Sequence, residues 1–109
     1  MDIRIEEQPP FKVVRLSGDV DLHSSPKARE AILACLRQKS PLLVDLSAVS
    51  YMDSSGVASL VEGYQTAKKL GLEFGLVAVA QAAMNVLKLA RLDKVFPIHA
   101  SFAARLPAN

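Results

Sequence analysis

Three times along this chain a short apolar run is followed by a stretch whose apolar residues return every three or four positions. The first run, "FKVVRLSG", ends at Gly18 and leads into "DVDLHSSPKAREAILACLRQKSP". There Ser25 suits a helix N-cap and Pro26 the first helical position. Ala28, Ala31, Ile32, Cys35 and Leu36 form one stripe, and Pro41 stops the element. The second run, "LLVDL", is short and apolar enough for a strand covered on both faces. The stripe after it comprises Val57, Leu60, Val61, Tyr64 and Ala67. Lys68 and Lys69 suit the negative end of that helix, and Gly71 suits a left-handed cap. Gly63, inside it, costs the helix about 1 kcal/mol relative to Ala. The third run, "LEFGLVAVA", precedes "QAAMNVLKLARLD", with Ala83, Val86, Leu87 and Ala90 facing inward.

Ahead of this alternation, Ile3 and Ile5 alternate with charged residues as a half-buried strand. "EEQPP" breaks it, and the connection to the next run is short enough for an antiparallel hairpin. At the other end, "VFPI" reads as a last strand, placed at an edge by Pro97, and "SFAARL" as a terminal helical turn. The predicted order is ββαβαβαβ(α). It specifies an α/β domain with a mixed, mostly parallel sheet of about five strands, three to four helices and right-handed crossovers. No repeat or linker divides the 109 residues, so 1–109 is expected to be one domain.

The composition, half hydrophobic and 22% charged, suits a globular domain able to bury its core without metals or disulfides. The 13 basic residues are scattered along the sequence and the net charge is only +2, which argues against direct nucleic-acid binding. Cys35 is the single cysteine, so no internal disulfide forms. "MDIRIEEQPP" has no apolar core of a secretory signal, and no run reaches the ~18 residues of a membrane span. The expectation is a cytoplasmic domain without membrane insertion.

In largely parallel sheets, functional groups gather where strand C-terminal ends meet helix N-termini. The loops after Leu16 and Leu46 lie there, bringing Asp19, Asp21 and His23 towards Asp53, Ser54 and Ser55. A serine hydrolase would need a base beside its nucleophile. Only His23 and His99 exist, and "DSSG" lacks the G-x-S-x-G elbow. Two histidines and one cysteine match no zinc spacing. Asp19, Asp21 and Asp53 have the oxygens for a hard cation, but turn aspartates ordinarily bond their own backbone. There is no phosphate-cradling glycine loop. No catalytic residue, metal or cofactor is therefore assigned, and the chain is not expected to be an enzyme. What stands out is "MDSSG" at a helix start. One cap needs one residue, and here three polar residues stand in a row. A phosphate on such a serine would be stabilised by the helix dipole and the free N–H groups, and would repel a partner docked beside Asp53 and Asp21.

"LSGDVDLHSSP", "LLVDLSAVSYMDSSGVASLVEGY" and "VLKLARLDKVFPIHASFAARL" together resemble the STAS domain family, in particular its bacterial anti-sigma factor antagonists. The resemblance implies the STAS fold and makes Ser55 the phosphoacceptor. It implies a partner that is both anti-sigma factor and serine kinase, which binds the unphosphorylated form, and a phosphatase that resets the switch. By the same resemblance Asp21, Asp53, Ser54, Ser55 and Gly56 form the partner-binding site. Other members of the family serve as small cytoplasmic subunits bound to the ATPase of a lipid-trafficking ABC transporter. Met84 and Leu89, off the inward stripe of the third helix, motivate that alternative.

Overall fold

The computed structural model describes residues 1–105. Its elements are β1 (Asp2–Gln8), β2 (Phe11–Val20), α1 (Ser25–Arg37), β3 (Leu42–Met52), α2 (Ser54–Leu70), β4 (Phe74–Val77), α3 (Gln81–Leu89), β5 (Ile98–His99) and α4 (Phe102–Arg105). This is the order expected from the sequence. The strands form one sheet in the order β1-β2-β3-β4-β5. β1 and β2 are an antiparallel hairpin turned at Pro9 and Pro10, and every other pairing is parallel.

Strand periodicity divides the apolar residues between the two faces. Val14, Leu16, Val44, Leu46 and Leu76 meet Ala28, Ile32, Leu36, Leu60, Ala83 and Leu87 in the main core. Phe11, Val13, Leu43 and Val77 form a smaller cluster on the other face, with Phe102 of α4 packed against it. Beside that cluster Arg15 donates to Glu6 Oε2 at 2.8 Å and to Asp45, whose other oxygen accepts from Ser47 N at 2.8 Å. Asp45 is thereby buried with its charge matched. Among the helices, Gly63 allows close approach: a Cβ there would stand 2.6 Å from Ile32 Cγ2 on α1 and 3.0 Å from Phe74.

Several local expectations change. β3 runs to Met52, well past "LLVDL", because parallel pairing with β2 continues to Val20↔Met52 through two register shifts. The N-cap of α1 is Ser24 rather than Ser25, since the Ser24 and Ser25 amides both donate to the Asp21 carbonyl in a preceding turn. β4 is only four residues long, and α3 stops at Leu89, leaving Ala90 exposed as its C-cap. β5 has two residues, and Pro97 lies just outside it, its carbonyl accepting from Leu76 N at 2.8 Å. β5 is an edge strand, as expected.

β2, β3 and β4 begin in register at Lys12, Leu42 and Phe74. Each of α1, α2 and α3 returns the chain from the end of one parallel strand to the beginning of the next. All three helix N-termini therefore lie at one end of the molecule and all three C-termini at the other.

Candidate functional site

The end that carries the helix N-termini holds Asp19, Asp21, His23, Asp53, Ser54, Ser55 and Gly56. β2 and β3 finish side by side at Val20 and Met52, and Asp53 N donates to Val20 O at 3.3 Å. The β2–α1 and β3–α2 loops are thus neighbours, which puts Asp21 and Asp53 on one surface.

Asp53 is the N-cap of α2, with extended backbone (φ −113°, ψ −172°). Its Oδ1 accepts from Ser55 N at 2.9 Å, Gly56 N at 3.4 Å and Ser55 Oγ at 2.5 Å. Two free donors of the first turn are satisfied, and the Ser55 hydroxyl is held by a carboxylate. Ser54 is exposed, while Ser55 is half-buried. Gly56 is buried, and a Cβ on it would lie 2.9 Å from Met52 Cγ and 3.0 Å from Val20 O. Gly56 faces the sheet rather than solvent, so it shapes the helix start and offers no surface of its own. These contacts let the first turn of α2 rest directly on the strand ends.

The carboxyl of Asp53 is held below the usual carboxylate range, first by the Ser55 hydroxyl and then by the backbone amides of Ser55, Gly56 and Leu22, with burial opposing them. Asp21 is lowered as well, chiefly by the Ser24 amide and then by the His23 amide. Its Oδ1 accepts from those amides at 3.1 Å and 3.0 Å. Asp19 Oδ1 accepts from Ser50 Oγ at 3.1 Å. Each aspartate considered for a cation is therefore engaged with side-chain or backbone donors of its own loop or, for Asp19, of the neighbouring strand. His23 is exposed, and the hydroxyl of Ser55 is bound to Asp53, not to an imidazole. The arrangement presents a poised hydroxyl without a histidine base.

Four residues of the site escape a reading of spacing. Ser24 Oγ accepts from Asp21 N at 2.9 Å and donates to Asp19 O at 2.8 Å, which fixes the first loop. Buried Ser59 donates to Ser55 O at 3.1 Å and to Ser25 O at 3.3 Å, tying the start of α1 to the first turn of α2. The signal for Ser59 was its place between Gly56 and Gly63 on one helix face, a seam of small residues. Leu22 and Tyr51 stand in solvent at the rim, 72% and 51% exposed. Their neighbours Asp21 and Asp53 mark the place, but nothing in apolar periodicity marks their exposure.

The model of the STAS domain family matches residues 2–104 of this chain. An anti-sigma F factor antagonist from Paenibacillus polymyxa is 30% identical over 103 residues, covering 91% of this chain and 86% of that protein. The crystal structure of an anti-sigma factor antagonist from Mycobacterium paratuberculosis superposes with a TM-score of 0.83 at 33% identity, over 96% of this chain and 94% of that one. The Bacillus cell fate determinant SpoIIAA in its phosphorylated form shares the fold, with a TM-score of 0.74 at 20% identity over 94% of each chain. The chain belongs to the STAS domain family, to its anti-sigma factor antagonist type.

Proposed function

We propose that this chain is a partner-switching regulator in which Ser55 is the phosphoacceptor. The observation that carries the reading is the 2.5 Å hydrogen bond from Ser55 Oγ to the capping carboxylate of Asp53, at the N-terminus of a long helix. The unphosphorylated form binds an anti-sigma factor that is also a serine kinase. In that complex Ser55 Oγ attacks the γ-phosphorus of ATP, the bond to ADP breaks, and the hydroxyl proton passes towards the carboxylate that already holds it. The chain is a substrate and a ligand in this step, not an enzyme, and it acts in the cytoplasm.

Release follows from charge. The new phosphate carries nearly two negative charges beside Asp53, in a rim that also holds Asp21. The positive end of α2 stabilises the phosphate itself, so the modified protein remains folded. A partner whose surface fitted a neutral hydroxyl then meets a cluster of like charge. Leu22 and Tyr51, exposed at the same rim, give that partner apolar anchors. Ser54 lines the same surface, and a phosphatase returns the protein to its binding form. The homology to anti-sigma factor antagonists supports this reading, as does a relative solved in a phosphorylated form.

The test is incubation with the kinase partner and ATP, followed by phosphosite mapping by mass spectrometry. Phosphate is expected on Ser55 and absent from Ser55→Ala. Ser55→Ala should stay bound to the kinase in the presence of ATP, and Ser55→Asp should bind it less tightly. Ordinary ATP-driven release of Ser55→Ala would sink the proposal. A second reading, a subunit bound to an ABC transporter ATPase, is favoured by one observation: Leu89 on α3 is 85% exposed. Stable co-purification with such an ATPase, and not with a kinase, would support it.

A further inference from the structure

The basic residues are scattered in sequence, but the topology gathers many of them at one end. Lys39, Lys68, Lys69, Lys88, Arg91 and Lys94 all lie in or just after the last turns of α1, α2 and α3, opposite the Ser55 site. All six are exposed, and none forms an ion pair with a carboxylate of the described residues. Two carboxylates near this end are engaged elsewhere, Glu7 with Lys12 and Glu73 with Arg105. Asp93 is half-buried.

A cation in the last turn of a helix is ordinary, because it meets the negative end of the helix dipole. That accounts for Lys68, Lys69 and Lys88. It does not account for Lys39 and Arg91, which hold left-handed backbone (φ 63° and 59°) at positions where glycine is least strained. Nor does it account for Lys94, beyond the end of α3. The cations are also interleaved with apolar side chains left in solvent: Leu70, Leu89 and Val95 are 36%, 85% and 46% exposed. Lys68 Nζ lies 5.6 Å from the Tyr64 ring centre, and that ring is 5.5 Å from Phe96, next to Val95 and Lys94.

We infer that this end of the molecule is a peripheral docking surface for anionic lipid. Cations spread over three helix ends match a broad negative plane, and exposed Leu and Val side chains among them can enter its interfacial layer. An open recess on α3, lined by Asn85, Lys88 and Leu89, lies within this surface. Docked in this way, the domain would turn Ser55 away from the membrane, towards a partner in solution.

Sedimentation with lipid vesicles tests the inference. Binding to equimolar phosphatidylcholine and phosphatidylglycerol should exceed binding to phosphatidylcholine alone and should weaken as salt is raised. Replacing Lys88, Arg91 and Lys94 together by Gln should lower partitioning by about fivefold per charge, on the order of 100-fold in all. Leu89→Ser should reduce it further, whereas Lys27→Gln, at the opposite end, should leave it unchanged. These positions are exposed, and circular dichroism on each variant verifies the fold. Equal binding to both vesicle types, or parental binding by the triple variant, would overturn the inference. So would tighter binding to poly-glutamate or duplex DNA than to the anionic vesicles.

Discussion

Helices α2 and α3 do the same architectural task and are built differently. Each carries the chain from one parallel strand to the next and packs on the same core. α2 has seventeen residues, a capping aspartate, and Gly71 in the left-handed position at its end. α3 has nine residues, starts at Ala80 without a side-chain cap, and reverses at Arg91 with φ 59°. In their first turns, Ser54, Ser55 and Gly56 of α2 stand where α3 has Gln81, Ala82 and Ala83. α3 shows that a helix at this end of the sheet forms on packing alone, from Ala83 and Leu87. The polar cluster of α2 therefore exceeds what the fold requires, and the excess falls on the hydroxyl of Ser55.

The sharpest way to break the contrast is Gly56→Ala. Its Cβ would press on Val20 O and Met52, while Ala83 already carries a Cβ in full burial. A loss of about 1–3 kcal/mol is expected in urea denaturation. Exchanging the caps comes next. Ala80 has the extended backbone of an N-cap (φ −64°, ψ 154°), so Ala80→Asp should gain about 1 kcal/mol. Asp53→Ala should lower the melting temperature. An unchanged melting temperature there would mean that Asp53 serves the hydroxyl alone.

Acid distinguishes the two joins as well. Asp53 and Asp21 have folded pKa values lowered from their ordinary range, so the stability they contribute is full above about pH 4 and is lost as pH falls through the folded values. Protection from amide exchange, measured against the intrinsic rate at each pH, should fall in the first turn of α2 below that pH, and that of α3 should not follow in step. The smallest effect is expected from Arg91→Gly, which relieves the left-handed strain of α3 and should gain about 0.5 kcal/mol. The same change removes one cation from the basic end, so vesicle binding should fall as stability rises.

Much of the architecture was legible because the periods are clean. The stripe from Val57 to Ala67 marks α2, and Asp53 before two serines marks its start. The second half of β3 was not legible. Ser47, Ala48, Ser50 and Tyr51 are exposed, so "SAVSYM" has the polarity of a loop, and only pairing with β2 makes it strand. The N-cap of α1 was misplaced by one residue because the Asp21 carbonyl, not a serine hydroxyl, receives the first amides. Of the site, Asp53 and Ser55 could be read from type and order. The bridging by Ser24 and Ser59 depends on which loops become neighbours, and that is a property of the sheet. The basic end was hidden for the same reason, since its residues are spread from Lys39 to Lys94.

The sheet order has a consequence for synthesis. Strands lie in the sheet as they lie in the chain, so each one leaving the ribosome meets a neighbour that has already been made. No strand has to be kept open for a later arrival. The β2–α1–β3–α2 unit around Ser55 is complete in chain terms at Leu70, before β4 has been translated. The face that carries Ser55 can thus assemble while the rest of the domain is still being made.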